Sequence, residues 1–161
     1  MPHGREASPA GRGEGVSGKQ IPGNPERGHR SLPHTADIRI EAWGPDPQGC
    51  LAEAVAALVD AFADTSGAQP ERTVETDLAA ETCADALMAV LDEVIYLLDT
   101  ADAVPLGAEV EWQPGALRLR MPVASLQALD LTGAAPKAVS LHGLRFSAGE
   151  RGCSCTATID V

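Results

Sequence analysis

Two carboxylates in this 161-residue chain stand where a hard cation could be held. Asp37 closes the tetrapeptide His34-Thr35-Ala36-Asp37, and a carboxylate close to an imidazole can bind a metal or work as a general base. The commoner use of a lone His–Asp pair is an Asp capping a turn, so the tetrapeptide alone decides nothing. Asp160-Val161 puts a side-chain carboxylate beside a terminal carboxyl group. Like charges held together call for a cation, and oxygen donors suit calcium or magnesium. A frayed, solvated end is the ordinary alternative. Ala157 and Ile159, in alternation with polar neighbours, argue against fraying.

The other reactive side chains point less clearly to a site. Lys137 is the single lysine after the first thirty residues; it suits either a salt bridge in an acidic domain or contact with a phosphate or a partner's carboxylate. Ser140 and His142 are two apart, but no Gly-x-Ser-x-Gly elbow accompanies them, so a hydrolase triad lacks support. Cys153 and Cys155 are separated by one residue, whereas structural zinc ligands are usually spaced by two to four. In a strand both would face the core, and small buried hydrophobes are the better reading. Phosphate-binding loops and dinucleotide fingerprints are absent.

The elements that must position these residues follow from periodicity. Ile38, Ile40 and Ala42 alternate with Asp37, Arg39 and Glu41, a half-buried strand. Leu51, Ala54, Val55, Leu58, Val59 and Phe62 form one helical stripe, predicting a helix to about Asp64. A weaker strand is expected over 72–81. Thr82 with Asp85 resembles a capping box ahead of the stripe Leu87, Val90, Leu91, Val94, Ile95 and Leu98. A hairpin looped at Gln113–Ala116 would pair Trp112 with Leu117, Glu111 with Arg118 and Glu109 with Arg120, apolar on one face and charged on the other. Ala138 to Leu141 reads as a strand with Lys137, Val139 and Leu141 on one side. The last strand carries Cys153, Cys155, Ala157, Ile159 and Val161 inward and Asp160 on its polar face. This order predicts an α+β, two-layer domain with two helices packed on one mostly antiparallel sheet.

Composition limits what such a domain could do. The first thirty residues hold seven Gly and four Pro with no apolar period. Residues 1–30 are therefore expected to be a disordered tail, and 31–161 the folded domain. Five basic and three acidic residues lie in the tail; the remainder holds seven basic and twenty acidic residues, out of a total net charge of −11. A domain so acidic, with 3% aromatic residues, is a poor binder of nucleic acid. Basic protein surfaces and cations are its natural partners. No apolar run is long enough for a membrane span. The absence of an apolar leader segment predicts a cytoplasmic, reducing location, with Cys50, Cys83, Cys153 and Cys155 unpaired. Acidic positions on the helices, such as Glu53, Asp60 and Asp92, read as solvated faces.

Four segments in order resemble the archease family. Leu32-Pro33-His34-Thr35-Ala36-Asp37-Ile38 is similar to its opening strand, and Leu91 to Thr100 to its Leu-rich helix ending in Asp-Thr. Pro136 to Leu144 resembles its Lys-Ala-Val/Ile-Thr-x-His segment, with Ser140 where Thr is usual, and Ile159-Asp160-Val161 resembles its close. The resemblance implies a non-catalytic protein cofactor of an RtcB-type RNA ligase in tRNA splicing and RNA repair. Such a cofactor promotes guanylylation of the ligase from GTP and so permits multiple turnover. It also implies a divalent ion, calcium in the family, held by Asp37, Asp160 and the carboxyl end of Val161. Lys137, with Asp37 and Asp160, would serve ligase activation, and His34 and His142 are supporting candidates. The rival expectations are a metal-dependent phosphoesterase using Asp37, His34 and Asp160, and a chaperone-like acidic scaffold.

Overall fold

A computed structural model describes residues 37–161; the tail expected over 1–30 and His34 lie outside these described residues. In chain order the elements are β1 (Asp37–Gly44), α1 (Pro47–Asp60), β2 (Ala63–Asp64), β3 (Arg72–Ala79), α2 (Cys83–Ala101), β4 (Ala103–Pro105), β5 (Glu109–Gln113), β6 (Ala116–Ser125), β7 (Asp130–Leu131), β8 (Ala138–Gly149) and β9 (Gly152–Asp160). A single turn of 3-10 helix at Leu126–Ala128 links β6 to β7. The α+β class holds, with two helices on antiparallel strands. Those strands hydrogen-bond as three ladders: β1-β9-β8, the short pair β2-β7, and β3-β6 with β4 and β5 along the other flank of β6.

Each helix begins where its sequence provides a cap. Asp46 accepts a 2.7 Å hydrogen bond from Gly49 N–H, and Pro47 occupies the first turn, where its missing N–H costs nothing. Thr82 Oγ1 accepts from Asp85 N–H at 3.0 Å, as the capping box predicts. The reciprocal bond lands one residue early, with Asp85 accepting from Glu81 N–H at 3.3 Å. The α1 stripe Leu51, Ala54, Val55, Leu58 and Val59 is buried throughout. On α2 the buried arc is wider than the stripe and includes Ala86 and Leu97, because this helix packs against strands of both larger ladders. Each fully buried Leu or Val contributes about 1.5–3 kcal/mol relative to exposure.

Two expectations need correction. The first helix ends at Asp60, not near Asp64. Ala61 N–H bonds back to the Ala57 and Leu58 carbonyls, and Phe62 N–H to Val59 O at 3.0 Å, tightening the last turn. Ala63 and Asp64 then pair with Leu131 and Asp130, so ladder bonds replace helical ones. Phe62, still buried at 1%, continues the stripe without the helix. The second correction concerns β8, which runs on to Gly149 through an irregularity between Ser140 and Arg145. Val139 is half-buried, but Leu141 is 80% exposed. The bulge interrupts the alternation, and Leu141 leaves the side it was expected to share with Val139.

The expected hairpin register is the observed one: Trp112 opposes Leu117, Glu111 opposes Arg118, and Glu109 opposes Arg120. Gln113 and Ala116 themselves pair, and Gly115 turns the chain at φ +68°. On its other flank β6 sets Arg118 against Asp77 and Arg120 against Glu75. The closest ion pair among the described residues, Arg118 Nε to Asp77 Oδ1 at 2.9 Å, lies on that flank. The guanidinium holds the Asp77 carboxyl below the usual carboxylate range.

Candidate functional site: a carboxylate row at one end of the three-stranded ladder

β9 lies between β1 and β8 and gathers residues from three parts of the chain. Asp37 of β1 stands directly opposite Asp160 of β9, and Ala138 of β8 opposes Asp160 from the other side. Lys137, one residue before β8, donates its backbone N–H to Asp160 O at 2.7 Å. Cross-strand partners share a face. The next row, Ile38, Ile159 and Val139, packs against the core and so turns Asp37 and Asp160 to the opposite, solvent-facing side. Asp37, Lys137 and Asp160 are all exposed.

Two carboxylates directly opposite, with Cβ atoms about 4.5–5.5 Å apart by strand geometry, repel one another. A hard cation between them reverses the sign of that interaction, and carboxylate oxygens are donors for calcium or magnesium. Among the described residues, no group of three or more His, Cys, Asp and Glu is assembled at metal-holding distance. An ion on this row therefore needs oxygen from the backbone as well. Val161, half-buried and next to Asp160, can supply it. Oxygen donors, the kind a hard ion takes, are what Asp37, Asp160 and the backbone of Val161 present.

The structure does not bring every candidate to the row. His34 is outside the described residues. His142 sits within the bulge, four positions along β8 from Ala138, exposed and with its N–H bonded to Ser140 Oγ at 3.1 Å. The cysteines of β9 face inward as the alternation predicts: Cys153 is 8% and Cys155 4% exposed. Cys155 Sγ lies 3.5 Å from Cys50 Sγ of α1, and the Cys50 thiol also points at Ala42 O at 3.7 Å. Burial pushes the Cys155 thiol up to about 12 and raises that of Cys50. A protonated thiol is the wrong state for a metal ligand or nucleophile, so this cluster is packing at the junction of α1, β1 and β9.

Sequence reasoning passed over Trp43. It is 67% exposed at the end of β1, on the same side as Asp37, Arg39 and Glu41. The signal was available, because the polar half of the β1 alternation ends on an aromatic residue. Leu141 was missed for a different reason: only the bulge exposes it.

Comparison with known proteins bears on this geometry. Residues 29–161 match the model of the Archease protein family (MTH1598/TM1083). The chain is 45% identical over 134 residues to the probable protein archease of Mycobacterium tuberculosis (strain CDC 1551 / Oshkosh), covering 83% of this chain and 75% of that one. It is 30% identical over 138 residues to the protein archease of Archaeoglobus fulgidus, covering 83% and 98%. The fold is similar to the crystal structure of an archease from Thermotoga maritima, with TM-score 0.60, 19% identity and coverage of 84% and 99%. It is also similar to the solution structure of protein 1598 of Methanobacterium thermoautotrophicum, with TM-score 0.63, 20% identity and coverage of 81% and 96%. Among the described residues no helix is long and apolar enough to cross a membrane.

Proposed function

This chain belongs to the archease protein family, and from that premise we propose that it is a protein cofactor that activates an RtcB-type RNA ligase. In this reading it joins no RNA ends itself. It favours the guanylylation-competent state of the ligase and so restores the enzyme after each round of RNA repair or tRNA splicing. The observation that carries the reading is the row itself: Asp37 opposite Asp160, with Lys137 anchored to the Asp160 carbonyl. Residues more than a hundred positions apart have no structural need to place two carboxylates face to face on an exposed surface.

A divalent ion, calcium as the family resemblance implies, would be held by Asp37, Asp160 and a backbone oxygen of Val161. When bound, the ion would neutralise the two carboxylates and fix the end of β9 against β1. Lys137 would then present its ammonium group beside the row, where it can meet a phosphate or carboxylate of the ligase. The acidic domain favours a basic ligase surface and disfavours RNA, so contact is made with the protein.

The test is RNA ligation in substrate excess by the ligase from the same cell, with GTP and divalent metal. Catalytic amounts of this protein should convert a stalled single turnover into many. Asp37→Ala, Asp160→Ala and Lys137→Ala should each remove most of that gain, about tenfold or more, while circular dichroism stays native. Unchanged turnover with an active ligase, or full activation by all three variants, would defeat the proposal.

A further inference from the structure

At the end of β1 away from Asp37, a groove of about 440 Å³ runs between the strand and α1. Its strand wall is Glu41, Ala42, Trp43 and Gly44, and its helix wall includes Glu53, Ala57 and Asp60. The helix positions fall at i, i+4 and i+7, along the margin of the buried face of α1: Glu53 and Asp60 are exposed and Ala57 is half-buried against the core. In the ladder order β1-β9-β8, β1 is an outer strand, and among the described residues nothing pairs with its second edge. An unpaired edge is a template for another strand. Here the template faces a helix across an open channel, the arrangement by which extended peptides add to a sheet edge.

The walls also select the chemistry of the occupant. Glu41, Glu53 and Asp60 put three carboxylates on the groove, and no Lys or Arg lines it. Trp43 offers its ring at the strand end, 67% exposed, and an indole face attracts a guanidinium. Small side chains, Ala56 and Ala57, keep the helix wall low. We infer that the β1 edge is a docking groove for an extended, arginine-containing segment of a partner protein. That segment would pair its backbone with β1 and set basic side chains on both of its faces, one row beside Glu41 and Trp43 on the outer side and the other toward Glu53 and Asp60 of α1. The inference stands apart from the carboxylate row, which lies at the opposite end of the strand.

The probes are a blocked Arg-Arg-Val-Val-Arg-Arg hexapeptide (the Arg-Val peptide), which carries Arg on both faces of a strand, the same peptide with alternate backbone amides N-methylated, and its Glu-for-Arg counterpart (the Glu-Val peptide). Binding is read by titration calorimetry and by amide shifts of the protein at residues 41–44 and of the Trp43 indole. The Arg-Val peptide should bind and shift those resonances, while the N-methylated and Glu-Val peptides should each bind at least tenfold more weakly. Glu41→Gln with Glu53→Gln should weaken the Arg-Val peptide about tenfold, and Trp43→Ala several-fold. These three side chains are all exposed, so native circular dichroism should persist. Equal binding of the N-methylated peptide, or shifts confined to other surfaces, would overturn strand addition. Self-association of the free protein that the Trp43 and Glu41 changes disrupt would overturn the choice of occupant in favour of a second copy. None of these outcomes depends on a ligase or a metal.

Discussion

Raising the pH should loosen the junction of α1, β1 and β9 through one buried thiol. Cys155 is 4% exposed, and burial raises it from the ordinary 9.0 to about 12. In the unfolded chain the same thiol ionises near 9. The folded state therefore keeps its proton over a range where the unfolded state has lost it. The stability this represents is whole below pH 9 and is lost as pH rises through 9 towards 12. Each unit of pH in that window removes about 1.4 kcal/mol, so the full span is worth about 4 kcal/mol. That is a large part of the ~5–15 kcal/mol by which a domain of this size is stable. Cys155→Ala removes the titrating group at the cost of a small cavity. Urea unfolding of both proteins at pH 8, 9.5 and 10.5 should show the native protein losing about 1 kcal/mol more per unit than the variant above pH 9.5. In the folded protein at pH 8, iodoacetamide should spare Cys155 until urea is added. Parallel pH profiles for the two proteins, or alkylation of Cys155 as fast in the fold as out of it, would refute the reasoning.

Three substitutions check the backbone argument. Asp102 ends α2 in the left-handed region at φ 49° and sets a negative charge at a helix C-terminus. Asp102→Asn keeps a residue that tolerates this conformation and removes the charge, so the protein should gain about 0.3–1 kcal/mol at low salt and less at high salt, read by thermal melts. Gly152 opens β9 at φ +119°, and a Cβ there would lie 2.7 Å from Gly44 O. Gly152→Ala should cost about 2–4 kcal/mol, whereas Gly67→Ala, at φ +79° with open space around it, should cost only about 1–2 kcal/mol. Equal losses from the two glycine changes, measured by urea midpoints, would mean that the close approach of β9 to Gly44 is not rigid.

What was legible in the sequence was what local physics decides. The Thr82 cap, the α2 stripe and the β5-β6 register all follow from contacts within a few residues or across one two-residue turn. The inward set on β9 was legible too, since alternation needs no knowledge of the partner strand. The end of α1 was not, because β7, some seventy positions later, takes over the backbone of Ala63 and Asp64. The Asp77–Arg118 pair was hidden for the same reason: cross-strand partners 41 residues apart leave no periodic mark. Asp37 and Asp160 could be named as candidates from their types and from family resemblance. Their meeting on one row is a property of the β1-β9 register, which only the folded chain displays. Glu53 and Asp60 read as solvated helix positions, and solvated they are; that they form a wall opposite Glu41 and Trp43 depends on where β1 lies.

The pairing of β1 with β9 also has a consequence for how the protein is made. Cys50 and Cys155, which meet at the junction, are 105 positions apart, and β1 bonds to no other described strand. At ~5–20 residues per second of synthesis, β1 waits on the order of ten seconds before its partner is translated. Throughout that wait no described strand pairs with it, and an alternating strand without its partner is a natural client for a holding chaperone. Contacts of this span also make the sheet slow to close. A truncated translation product that lacks β9 would have α1, α2 and the charged hairpin, yet no row of carboxylates and no closed junction. Under the function proposed above, a chain that lacks β9 has no such row with which to act on a ligase.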